Sequence, residues 1–261
     1  MRPLGEFPAA ARRAIRFVLL DIDDTLTTSG RLTAAAYGGL EGLERRGLRV
    51  IPVTGRPAGW CDLIARFWPV DAVIGENGAF YFRYDHGSRV MTRHFWPSAE
   101  DRETARRRLD TLAGEILAAV LGARLAADSP TARTTWIDFA EDTGPLPSDD
   151  IDRIVALMHA AGASAKLSSI HVNGWFGDWD KRKMTLRLFL EAYGIDLDRE
   201  RDGVVFIGDS PNDEPMFEYF PHSVAVANIA PYLSRLKSPP AYVTVAEGGA
   251  GFAEFAAFLL S

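Results

Sequence analysis

Along the first part of the chain, short runs of wholly apolar residues alternate with longer stretches in which apolar positions recur every three or four. Residues 15–20 climb to Phe17-Val18-Leu19-Leu20 and stop abruptly at Asp21. A run apolar on both faces predicts a buried parallel strand, because a half-exposed strand would alternate. A helix is predicted over 33–46, with Leu40 and Leu43 inward and Gly47 as its stop. A second buried strand over 48–53 ends in Thr54-Gly55-Arg56. Pro57 opens another helix, with Leu63, Ile64 and Phe67 on its apolar side, and 71–74 reads as a third strand. This βαβαβ rhythm predicts a doubly wound parallel sheet.

The rhythm then changes. Residues 80–96 read as a hairpin around Asp85-His86-Gly87. Ser98 is placed to cap a long helix with Leu109, Leu112, Ile116 and Val120 on one face. Extended runs are expected over 131–140 and 166–172, with a helix carrying Ile151, Ile154, Val155 and Met158 between them. From Asp180 the parallel rhythm returns, with a helix over 182–193, a buried strand over 203–207, short strands over 223–226 and 241–245, and a closing helix over 252–260. The expected architecture is an α/β core built on a doubly wound, Rossmann-like parallel sheet from 1–84 and 179–261. It is interrupted by an α+β cap domain over 85–178.

Composition narrows the function. At 261 residues, 47% apolar and 25% charged, the chain has ordinary globular usage and room for one large domain or a core with an insertion. Its net charge of −6 argues against a nucleic-acid partner. A single cysteine, Cys61, excludes a disulfide framework and a multi-cysteine zinc site. No apolar run approaches the roughly 20 residues of a membrane span. Arg12, Arg13 and Arg16 precede an apolar run too short for a signal-peptide core. A soluble cytoplasmic protein is expected, with no membrane partner.

Acids collect where the parallel strands are predicted to end. Ligands of open α/β sheets bind beyond the carboxyl ends of the strands. Three such ends carry Asp21-Ile22-Asp23-Asp24-Thr25, Thr54-Gly55-Arg56 and Gly208-Asp209-Ser210-Pro211-Asn212-Asp213. Residues two apart on an extended strand project to one side, so Asp21 and Asp23 can share a site. Clustered carboxylates repel, and a hard divalent cation relieves that repulsion; Asp209 and Asp213 would add oxygen ligands, and octahedral oxygen coordination points to Mg²⁺. Any one cluster alone reads as turn chemistry, since Asp and Thr favour turns. Three at three strand ends outweigh that reading.

With these motifs the chain resembles the haloacid dehalogenase superfamily, in its subfamily with an inserted type-IIB cap that includes Cof-type sugar phosphatases and sucrose-phosphatases. Asp21–Leu26 is similar to the first motif, Thr54-Gly55-Arg56 to the second, a lysine near 181 to the third, and 208–213 to the fourth. Gly75-Glu76-Asn77-Gly78-Ala79 is also similar to that subfamily. The resemblance implies Asp21 as nucleophile, Asp23 as general acid and base, and Thr54 as a phosphate donor with the adjacent backbone at Gly55. It implies a lysine on the phosphate, and Mg²⁺ on Asp21, the backbone carbonyl of Asp23, Asp209 and Asp213, with Asn212 holding the lysine or the phosphate. Both Lys181 and Lys183 lie at the third motif. Residues two apart on a helix face nearly opposite ways, so only one can serve, and Asp180-Lys181 fits the pattern better.

Other residues have plainer readings beside the functional one. Arg133 is a candidate for gripping a second anionic group of the substrate, or a solvated strand arginine. Trp175, Phe176 and Trp179 would line a sugar site or pack a hinge. His171 and Asn173 meet substrate or lie on a sheet surface, and Arg56 locks the loop after Thr54 or touches phosphate. Cys61 reads as inert core, and Arg106-Arg107-Arg108 as the wet face of a helix. The function these readings favour is a Mg²⁺-dependent phosphatase for a small phosphorylated metabolite, a phosphosugar first, acting through an aspartyl-phosphate. A phosphosugar mutase and a catalytically silent binding scaffold are the alternatives.

Overall fold

The computed structural model describes residues 1–96, 98–127 and 134–261. Its centre is a six-stranded, all-parallel sheet in the order Arg2–Pro3, Tyr242–Val243, Ser223–Ala225, Val204–Gly208, Phe17–Leu20, Arg49–Pro52. Alternate residues of the central strands enter two different cores. Val18, Leu20, Val205 and Ile207 pack with the Ala34–Arg45 and Gly248–Leu260 helices. Phe17, Leu19, Val204 and Phe206 face Met184 and Leu188 of the Lys181–Leu188 helix and Met216 and Phe217 of the Glu214–Tyr219 helix. A sheet covered on both faces needs strands apolar on both faces, which is why these runs do not alternate.

The third predicted strand plays another part. Val73–Gly75 touches the parallel sheet through one bridge, Val53 to Ile74, and pairs antiparallel with Phe80–Asp85, which pairs in turn with Val90–Phe95. A separate four-stranded antiparallel sheet, ordered Ser164–Leu167, His171–Trp175, Thr135–Asp138, Arg124–Leu125, is packed against the Ala99–Ala119 and Ser148–Ala160 helices. Ser98 caps the first of these by accepting the Asp101 amide at 3.1 Å.

Three expectations are corrected. Leu63 and Phe67 are 54% and 74% exposed; Ile64 is buried as expected, and its buried companions on the Ala58–Phe67 helix are Cys61 and Ala65. The run over 166–172 is two strands joined by a turn, closed by the Ser168 hydroxyl, which donates to the His171 carbonyl and accepts the His171 amide. The helix expected over 182–193 is α-helical only over Lys181–Leu188 and finishes as a π-turn, Phe189–Tyr193. Of the extended run expected over 131–140, Thr135–Asp138 is strand; residues 131–133, Arg133 among them, lie outside the described residues. No described helix is long and apolar enough to cross a membrane.

Candidate active site

The parallel strands deliver the acids side by side. Asp21 follows Leu20, its amide donating to the Ile207 carbonyl of the neighbouring strand, while Asp209 follows Gly208 one strand over. Carboxylate oxygens of Asp21, Asp209 and Asp213 all lie within 4.8 Å of one another, and all three residues are buried.

Lys181 is the lysine that reaches them. Its Nζ donates to Asp21 Oδ1 at 2.9 Å, to Asp213 Oδ1 at 2.6 Å and to Asn212 Oδ1 at 3.5 Å, and it is 1% exposed. Asp180 caps the helix that begins at Lys181 by accepting the Lys183 amide at 2.7 Å. Lys183 instead pairs with Asp178 on the surface. The helix start sits tightly against the Glu76–Gly78 turn: Gly78 has φ +105°, and a Cβ there would stand 2.1 Å from the Asp180 carbonyl.

Burial dominates the electrostatics. It pushes the Asp21 carboxyl up to about 7, with Lys181 opposing the rise and Asp213 and Asp23 adding to it. Asp209 is raised well above the usual carboxylate range by burial and by Asp21 and Asp213, although the Thr25 hydroxyl donates to it at 3.0 Å. For Lys181, burial works against the ammonium, but the Asp21 and Asp213 charges outweigh it and hold its pKa above the ordinary value. Acidic oxygens crowded in a dry site and repelling one another suit a hard divalent cation, and an all-oxygen donor set suits Mg²⁺. Asp213 is the most committed of the three: its Oδ2 accepts the Asp209 and Ser210 amides at 3.0 and 3.3 Å, and its Oδ1 accepts Lys181.

The other expected residues are placed as follows. Thr54 is fully buried, and its hydroxyl accepts the Arg56 amide at 3.1 Å. Asn212 Oδ1 accepts the Ser210 hydroxyl at 2.9 Å, on the lysine side of the site. The Asp23 carboxylate is not one of the three clustered acids and is held by Arg56, whose Nε and Nη2 donate to it at 2.8–3.1 Å. A part for Asp23 in binding a metal would therefore fall to its main-chain carbonyl. Gly55, Asn212, His171 and Asn173 line one cavity with Asp21 and Asp23. Trp175 and Trp179 pack in a core with Ile22 and Cys61, and the Trp175 indole donates to the Trp179 carbonyl. Cys61 is buried, its thiol pushed well up by burial. Arg106 and Arg107 pair with Asp110 and Glu103 on the outer helix face, and Arg108 lies over Phe176.

Several contributors carry no signal in the local sequence. Glu141 accepts from Arg56 Nη2 at 2.7 Å and lies 2.9 Å from His171 Nε2. The His171 hydrogen bond holds the Glu141 carboxyl down at about 2, against burial and with help from Arg56. Asn228 donates to Asp209 and to the Asp24 carbonyl. Ser168 and Ile170, in the unexpected turn, line the cavity. The Asn77 amide, 2% exposed and unpartnered among the described residues, faces Gly55. Its motif flagged it, but without a role.

Comparison with known proteins points the same way. A family model described as haloacid dehalogenase-like hydrolase matches residues 177–242. A phosphoglycolate phosphatase of Methanothermobacter thermautotrophicus is 27% identical over 253 residues, covering 92% of this chain and 96% of the relative. Among solved structures, a Thermoplasma acidophilum protein superposes with a TM-score of 0.70 at 20% identity, over 95% of this chain and 99% of its own. A Synechocystis sucrose-phosphatase, solved with sucrose and phosphate, gives 0.63 at 17% identity over 93% and 97%. These superpositions show a shared fold.

Proposed function

We propose that this haloacid dehalogenase-like phosphoric monoester hydrolase is a Mg²⁺-dependent cytoplasmic phosphatase that works through an aspartyl-phosphate on Asp21. The observation that carries the reading is the Lys181 ammonium between the buried carboxylates of Asp21 and Asp213, with Asp209 beside them, at the open end of a parallel sheet.

An Asp21 oxygen attacks phosphorus in line, and the bond from phosphorus to the leaving oxygen breaks as that oxygen takes a proton from the Asp23 carboxyl. Water then gives a proton to the Asp23 carboxylate and attacks the same phosphorus. The bond to Asp21 breaks, releasing phosphate and restoring both acids. Lys181 offsets the phosphate charge that would otherwise repel the nucleophile, while Thr54, the Gly55 backbone and Asn212 orient the phosphoryl oxygens. Asp21, Asp209 and the Asp23 carbonyl would hold Mg²⁺, with Asp213 beside them; the ion supplies charge neutralisation to the phosphoryl group.

Residues 85–178 serve as the cap, with 1–84 and 179–261 as the core; within the cap segment, Val90–Phe95 stays paired to the hairpin on the core side. For the leaving group, the sucrose-phosphatase among the structural neighbours suggests a phosphosugar. A second reading, phosphoglycolate, is favoured by the name of the full-length relative.

The test is phosphate release from a panel of phosphosugars, phosphoglycolate and other monoesters, with Mg²⁺ and with chelator. Mg²⁺-dependent turnover that disappears in Asp21→Asn is expected. A folded protein silent across the panel would turn attention to the mutase reaction, assayed with a bisphosphate activator, and silence there to a binding scaffold.

A further inference from the structure

The cleft above the acids holds two cavities. The inner and smaller one includes Asp21, Gly55, His171 and Asn212 in its lining. The outer and larger one includes Asp24, Ser29, Ala140 and Glu141. Asp23, Arg56 and Ile170 face both, so they form the wall between them.

That wall is bolted. Arg56 donates to Asp23 from the core and to Glu141 from the inserted segment, and its guanidinium carbon lies 4.4 Å from the centroid of the Trp60 ring. Its side chain is only 8% exposed, so the pairs form where water screens them little. Glu141 is itself held in place: the buried Asp138 carboxylate accepts the amides of Ala140, Glu141 and Asp142 at 2.8–3.0 Å and the Thr143 hydroxyl at 3.3 Å. A surface ion pair of no consequence would need neither a buried arginine nor a loop fixed by four hydrogen bonds.

We infer that the Arg56–Glu141 ion pair is a gate that sets the largest leaving group the site accepts, with Glu141 as a specificity-determining residue. The inference rests on the phosphatase reading above for the direction in which a substrate lies. A phosphate seated at Asp21 points its ester oxygen into the inner cavity, which Arg56 helps to line while Glu141 holds that arginine from the outer side. A short leaving group lies on the near side of the pair and leaves it closed. A longer one must part Arg56 from Glu141 and extend into the outer cavity, and so binds at the expense of that interaction.

The experiment compares a short and a long phosphomonoester, phosphoglycolate and sucrose 6-phosphate. Binding is read by calorimetry with Mg²⁺ in Asp21→Asn, so that no turnover is needed, and kcat/KM is read in the otherwise native enzyme. Adding Glu141→Ala should raise sucrose 6-phosphate affinity relative to phosphoglycolate at least tenfold. Glu141→Gln, nearly unchanged in size, should move the ratio less but in the same direction, and it carries the test alone if the alanine variant does not fold. An unchanged ratio, an equal tightening or weakening of both ligands, or binding of neither ligand to any variant overturns the gate. A shifted binding ratio in a protein whose native form releases no phosphate would keep the gate and sink the hydrolysis.

Discussion

Lys181 and Asp21 stand 160 positions apart in the chain and meet at 2.9 Å, in a site where both are almost wholly buried. Each makes the other tolerable. Removing one partner of a buried pair leaves an uncompensated charge, at a cost of about 3–5 kcal/mol. Lys181→Met should therefore lower stability by about that much in urea melts, and should cut phosphate release at least a hundredfold. Lys183→Met, on the exposed side of the same helix, should stay within about 0.5 kcal/mol of the parent and keep its activity. Reversed results for the two lysines would refute the assignment of Lys181 to the phosphate.

The crowding of Asp21, Asp209 and Asp213 predicts a stabilising response to Mg²⁺ in the absence of any substrate. A ligand that binds only the folded state adds about 2.7 kcal/mol at a hundred times its Kd. Thermal melts in saturating Mg²⁺ and in chelator should differ in that sense. Asp209→Asn should abolish most of the difference, because it removes one of the two carboxylates least committed to other partners. A Mg²⁺ shift that survives this substitution would place the ion elsewhere.

Glu141 predicts a pH dependence whose sign is fixed. Its folded pKa, about 2, lies below its ordinary 4.5, so the folded state releases this proton more readily than the unfolded one. Its contribution to stability is therefore complete above about 4.5 and is lost as pH falls from there through 2. Because other buried acids titrate too, the quantity to measure is the stability difference between the native chain and Glu141→Gln at several pH values. The difference should be constant near neutrality and shrink below pH 4.5. A difference that grows on acidification would show that the Arg56 and His171 contacts do not hold in solution.

The acids at the strand ends were readable because the signal is local: a strand buried on both faces is apolar throughout, and Asp21 and Asp209 interrupt such runs abruptly. The choice of Lys181 over Lys183 came from the family pattern that Asp180-Lys181 fits, and in the structure Asp180 caps the helix directly before it. Leu63 and Phe67 misled because the Ala58–Phe67 helix has two apolar stripes. The sheet side takes the smaller one, Cys61 and Ala65 with Ile64, where close packing against the Phe80 hairpin leaves room for little else. The Ser168 turn, closed by the Ser168 amide and hydroxyl on His171, was missed because Ser168-Ser169 reads as part of one extended run. Arg56 and Glu141, 85 positions apart, leave no periodic trace at all, because an ion pair between an insertion and a core is a fact of tertiary structure.

Gly208 shows how closely the core backbone is tailored to the acids. A Cβ at this position would stand 2.3 Å from Asp213 Oδ2, the oxygen that accepts the Asp209 and Ser210 amides. Gly208→Ala would thus push Asp213 off its loop, and with it the second anchor of Lys181. Freed from Asp213, the ammonium keeps only Asp21 and the weaker Asn212 contact, so its hold on the nucleophile changes without any catalytic residue being altered. Overpacking of this kind typically costs 1–3 kcal/mol. The expected result is a destabilisation in that range together with a fall in kcat larger than any change in KM, since Thr54 and Gly55, the residues proposed to bind phosphate, lie on a different strand end. Equal activity in Gly208→Ala, with the fold retained, would mean that Asp213 can leave its place without disturbing Lys181.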